Sequence, residues 1–339
     1  MRWIKRIIIW ICISLCIQIG ILYYVDKDLF KQDTQIKSVK VDEKHYTKET
    51  NMNISIHNEA KKIRISYDGK YVSYYINNNL KVVNTYNGEV QNIKFDKDTS
   101  VSYYRWVPNQ NRILIGEKKL EQMSSRFKLT YYDAEKHIKN QITHLGWSDK
   151  EAQMQDIQIA TLINVIYVKI SNNKYSNIYK VDISGEISDF KVKSQLVGKI
   201  AVSNKSDIFI YEDLSNMKLS KIENNIEYQI KDLKKLKLLG LDDDDNVYLL
   251  QVNNGKVDKV FYTHIHNYMK MTEVNILKEC NVGDIYFYDN DKIYINYTKE
   301  HEVEEIKTGE RIKYSGKFLD IYDKGILILD NHKLVKRLF

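Results

Sequence analysis

A repeat constrains this chain more than any other feature. Short polar turns precede apolar, β-branched or aromatic runs again and again: Asp68-Gly69 before YVSYYI, Asn109-Gln110 before RILIGE, Ile163-Asn164 before VIYVKI, and Asn204-Lys205 before DIFIYE. Asp245-Asn246 before VYLLQV, Asn290-Asp291 before KIYINY and Lys324-Gly325 before ILILD continue the series. The turns recur every 43 residues or so, about the length of one four-stranded propeller blade. Two-helix repeats are of similar length, but they need a 3.6-residue apolar period and strong helix formers. These runs alternate or are continuously apolar, as strands are. One Pro and 26 Tyr in 339 residues also suit strands better than helical bundles or proline-rich linkers.

Each unit parses into four strands. In the first, KKIRISY is innermost, YVSYYI second, LKVVNTY third and GEVQNIKF outermost, with Asn77 to Asn79 and Asn87-Gly88 supplying turns that tolerate positive φ. Further inner strands are SYYRWV, MQDIQIA, VGKIAVS, LKLLGLD, GDIYFYD and KFLDIYD; outer ones are KNQITHL, GEISDFKV, EYQIKDL, TEVNILKE and a region around ERIKYSG. The last unit is one strand short. NMNISIH, residues 51–57, alternates as a strand and can pair with the last blade, which closes the ring and removes its open edges. The expectation is an all-β, seven-bladed β-propeller over 51–339, with six and eight blades as the nearest alternatives.

The first residues read differently. Residues 7–24, IIIWICISLCIQIGILYY, carry no charge and as a helix would be roughly 27 Å long, enough for a bilayer core. Arg2, Lys5 and Arg6 precede this stretch, which places residues 1–6 in the cytoplasm and the remainder outside. No small-x-small cleavage site follows, and Leu15 stands where a lipoprotein signal wants a small residue before Cys16, so the segment reads as an uncleaved signal-anchor helix. Residues 25–50 are polar and read as a tether. The predicted location is the cell membrane, single-pass, with the propeller extracytoplasmic.

The starts SYDGKYVSYY (Ser66 to Tyr75) and RWVPNQNRILIG (Arg105 to Gly116), with LKVVNTYNGE (Leu80 to Glu89), resemble the S-P-D-G-K...L-Y-V-V-D-x-x-T-G-E pattern of TolB-like and dipeptidyl-peptidase-IV-type propeller repeats. The motif covers about residues 61–135; the strand rhythm continues to 339. In the peptidases the resemblance implies a partnering α/β-hydrolase domain with a serine nucleophile. No GxSxG occurs in this chain, so that activity does not carry over. The TolB-like resemblance implies a platform that binds envelope proteins.

Chemistry-bearing motifs are sparse. GxGxxG, P-loop, HExxH and CxxC patterns are absent, and neither a catalytic residue, a metal site nor a cofactor is assigned. Of the net charge of +7, three charges belong to Arg2, Lys5 and Arg6; the balanced remainder lacks the basic stripe that nucleic acid requires. Cys12 and Cys16 lie in the apolar segment, leaving Cys280 as a lone thiol expected to be buried. Asp242 to Asp245 read as a turn, since Val247 and Asn253 break an EF-hand pattern. His264 and His266 would share one face of a strand but have no third ligand nearby, and His301 to Glu305 read as a polar outer strand.

Tyrosines are expected mainly between blades. The binding candidates are Tyr103, Tyr104, Arg105, Trp106, Tyr286 and Tyr288, amphipathic groups at one mouth of the channel that could grip peptide or glycan. The function read from the sequence is a membrane-anchored module that binds a protein, peptide or envelope component. The alternative is an enzyme acting on peptide or glycan through residues gathered in the channel.

Overall fold

The computed structural model describes residues 49–339 except 189, 269 and 289–291, together with residues 3, 6, 10, 14, 15 and 18. The expected span at 7–24, the tether at 25–50 and the turn Asn290-Asp291 fall wholly or mostly outside the described residues. Among those described, no helix is long and apolar enough to cross a membrane. The chain divides into Met1–Tyr46 and Thr47–Phe339, and the second unit holds every described strand.

Seven four-stranded antiparallel sheets make up this unit among the described residues, and they form a seven-bladed β-propeller. The innermost strands of blades 1 to 7 are Lys61–Ile65, Thr99–Trp106, Gln153–Ala160, Val197–Val202, Leu236–Leu241, Ile285–Tyr288 and Lys317–Tyr322. Blades 1 to 6 run outward in chain order. Blade 7 is completed from the other end of the unit, because Glu49–Ser55 pairs with Lys333–Leu338 as its outermost strand. Turn chemistry follows the residue types: Asn77 and Asn78 adopt φ of 48° and 61°, and Gly88 adopts 75°.

The core lies between neighbouring sheets. Leu114, Phe127 and Leu129 of blade 2 pack with Met154, Ile157 and Val168 of blade 3, and Met52 and Ile56 join Val72, Leu327 and Leu334 where blades 7 and 1 meet. Polar staples supplement this packing. The Lys118 ammonium, buried in blade 2, donates to the carbonyls of Lys150 (2.8 Å) and Ala152 (2.7 Å) at the entry to blade 3. Lys169 of blade 3 donates to Gly198 O at 2.6 Å in blade 4. The Glu212 carboxylate of blade 4 accepts from Leu238 N at 2.7 Å in blade 5. Each staple fixes the inner strand of the next blade, and those strands wall the channel.

The central channel as candidate site

The inner strands share a hidden pattern, an apolar residue, a variable one, then another apolar residue. Register identifies the variable position, which pairs with the third residue of each blade's second strand: Arg64 with Ser73, Arg105 with Leu114, Gln158 with Tyr167, and Ala201 with Ile210. Gly240 with Tyr248, Tyr286 with Tyr294, and Asp320 with Leu327 complete the level. All seven line one cavity of about 580 Å³ along the channel. Their neighbours Ile65, Tyr104, Ile157, Ile200, Leu239, Ile285 and Ile321 are buried, because successive side chains of a strand point to opposite faces.

Bulges rotate the earlier parts of these strands. Register shifts occur in every inner strand except that of blade 6, whereas Tyr103, Asp156 and Lys199, two residues before Arg105, Gln158 and Ala201, share their face and line the same cavity. The level is asymmetric: blades 6, 7, 1, 2 and 3 contribute polar or phenolic groups, whereas blades 4 and 5 contribute Ala201 and Gly240. A Cβ at Gly240 would meet the Phe287 ring at 2.7 Å.

Charge is arranged in two sectors. Arg64 and Asp320 form an ion pair at 3.3 Å, and Asp320 also accepts from Ile65 N at 3.1 Å. Burial pushes the Asp320 carboxyl above the usual carboxylate range, with Arg64 opposing the rise. In the other sector the Arg105 guanidinium donates at 2.8 Å to both Ile157 O and Gln158 Oε1, and Gln158 donates at 3.0 Å to Asp156 Oδ1. Lys199 faces Asp156, Glu212 and Arg105. The surrounding channel wall lowers its pKa and the two carboxylates pull it back up; the residue is exposed, and its ammonium makes no hydrogen bond or ion pair among the described residues. Burial, then Asp156, raises the Tyr103 phenol; burial, then Asp320, pushes Tyr286 up to about 12.

The six sequence candidates divide by burial. Tyr103, Arg105, Tyr286 and Tyr288 line the channel, and the largely buried Trp106 borders the same cavity. Tyr104 and Trp106 are buried with the residues of blades 1 and 2: the Tyr104 hydroxyl donates to Lys62 O, and Trp106 Nε1 donates to Ser73 Oγ at 3.0 Å beside the Tyr71 ring. Sequence reasoning missed Arg64, Asp156, Gln158, Lys199 and Asp320. The available signal was a polar residue interrupting the apolar inner strands of blades 1, 2, 3 and 7, and Lys199 in that of blade 4.

The remaining candidates have structural settings. Asp242 accepts from Asp244 N, Asn246 N and Tyr248 OH, closing a turn between the first two strands of blade 5. His264 ends a strand and His266 lies in the turn after it, both exposed, with ring centroids 5.5 Å apart. The histidines therefore do not share one strand face. No group of three or more His, Cys, Asp or Glu able to hold a metal occurs among the described residues. Glu302–Glu305 is the third strand of blade 6, not the outer one, and Arg311 pairs at 3.1 Å with both Glu302 and the buried Glu304. Cys280 is buried.

No protein-family model matches the chain, and no curated protein matches it in sequence. Solved structures do resemble it in fold. A prolyl endopeptidase matches with a TM-score of 0.52 and 9% identity over 76% of this chain and 41% of its own. A protein described as a dipeptidyl aminopeptidase IV from Bacteroides ovatus matches at 0.45 and 12%, over 75% of this chain and 46% of its own. A chain of a nidogen/laminin complex matches at 0.47 and 7%, over 72% and 92%. The chain thus spans less than half the length of the two peptidases. At such identities the likeness shows the fold alone, a β-propeller.

Proposed function

We propose that this chain is a ligand-binding propeller held at the outer face of a membrane, with the ligand seated in the central channel. The observation that carries this reading is the polar level inside the channel. Apolar side chains at Arg64, Arg105, Gln158, Tyr286 and Asp320 would cost less desolvation, because confined charges and dipoles lose hydration. Polar groups converging on a cavity of this size are what a binding site requires. The anchor rests on the uncharged stretch 7–24 and the cations before it, and the polar tether after it gives the propeller reach.

Photocrosslinking in intact cells tests both parts. A photoreactive residue at Tyr103 or Tyr286 should capture an extracytoplasmic partner that the same probe at Tyr86, exposed on blade 1, does not capture. Tyr103→Ala combined with Tyr286→Ala should weaken binding of the captured ligand at least tenfold. Equal capture at all three positions would remove the channel from the reading, and cytoplasmic partners alone would reverse the orientation.

A further inference from the structure

Arg64 is neutralised by Asp320, but the second charged sector is incomplete. Lys199 on blade 4 and Arg105 on blade 2 face each other across blade 3, whose Asp156 accepts a hydrogen bond from Gln158. Neither Asp156 nor Glu212 forms an ion pair with Lys199, and both Glu212 oxygens accept from backbone, Lys199 N at 2.9 Å and Leu238 N at 2.7 Å. The Arg105 contacts use only one of its terminal nitrogens. At the adjoining level Ala201 carries only a methyl group beside the lysine, and the Phe287 ring fills the place that the missing side chain of Gly240 leaves.

Resting on the channel-binding reading, we propose that this sector receives a peptide carboxylate, seated between the Lys199 ammonium and the Arg105 guanidinium. The local balance selects the charge. Counting the neighbouring Lys169, which shares Asp156 and Glu212 with Lys199, three cations against two carboxylates leave one positive charge, which matches a carboxylate and falls short of a phosphate dianion or a polyanion. A carboxylate accepts hydrogen bonds from Lys199 and Arg105 at once, the stronger, charge-assisted kind. The phenols of Tyr103 and Tyr286 flank the remaining wall and suit the body of a peptide. The carboxylate can come from an acidic side chain or a free C-terminus.

Fluorescence anisotropy with the full-length chain separates these cases. The probes are labelled hexapeptides of three kinds: one with a central Glu and amidated C-terminus, its Gln counterpart, and an all-Ala peptide with a free C-terminal acid. At least one carboxylate peptide should bind ten times tighter or more than the Gln amide. Lys199→Met should abolish the preference and Lys199→Arg should retain it. Equal binding of acid and amide peptides, or a preference that survives Lys199→Met, would overturn the carboxylate site while leaving channel binding intact. Failure of every peptide to bind would likewise overturn the peptide carboxylate site, while the crosslinking result decides channel binding separately.

Discussion

Met52→Ala probes whether the ring is closed by the strand Glu49–Ser55. Met52 is 4% exposed and belongs to the same apolar cluster as Leu334, which is 0% exposed on the neighbouring strand. Truncating a fully packed Met or Leu removes its transfer free energy and leaves a cavity, so each single substitution should cost about 3 kcal/mol. Ser55→Ala, an exposed change on the same strand, should stay within about 0.5 kcal/mol. Because Met52 and Leu334 share one cluster, the double variant Met52→Ala/Leu334→Ala should depart from additivity by roughly 0.5–3 kcal/mol. Equilibrium urea unfolding, with the slope checked for constancy, measures all four. If Met52→Ala were no costlier than Ser55→Ala, or the pair strictly additive, the strand would not be packed on blade 7 and the closure argument would fail.

Three further outcomes follow from the contacts described. Lys118→Met removes the donor to two carbonyls at the entry to blade 3 and should destabilise by about 2–3 kcal/mol, read by thermal or urea unfolding. Trp106→Phe should cost about 1 kcal/mol through the lost Ser73 hydrogen bond, read by urea unfolding. Burial first, and Asp284 second, pushes the Cys280 thiol from 9.0 to about 11. The folded protein therefore keeps this proton where the unfolded chain has lost it, so its stabilising share is complete below about pH 9 and fades toward pH 11. Across that window the wild type should lose roughly 2–3 kcal/mol more than Cys280→Ala, and parallel pH profiles would refute the assignment.

Strand order could be read locally because each blade is a contiguous run with its own turns. Asn77, Asn78 and Gly88 tolerate the positive φ their hairpins need, and alternation separates the faces within each strand. The same alternation, applied strictly, would have assigned Tyr104 and Trp106 to the interior once Tyr103 and Arg105 were placed in the channel. It could not have handled the bulges, since one inserted residue reverses the face of everything beyond it.

The sequence by itself determined the repeat and the strand positions, set by neighbours within about one blade's length of chain except where Glu49–Ser55 completes blade 7. Only the tertiary structure decided the site. Arg64 meets Asp320 across 256 positions of sequence, and Lys199 comes to face Arg105 because the inner strands of separate blades converge on one axis. Which charges are matched and which are left open depends on distances through space around that axis, and no local pattern in the chain encodes them.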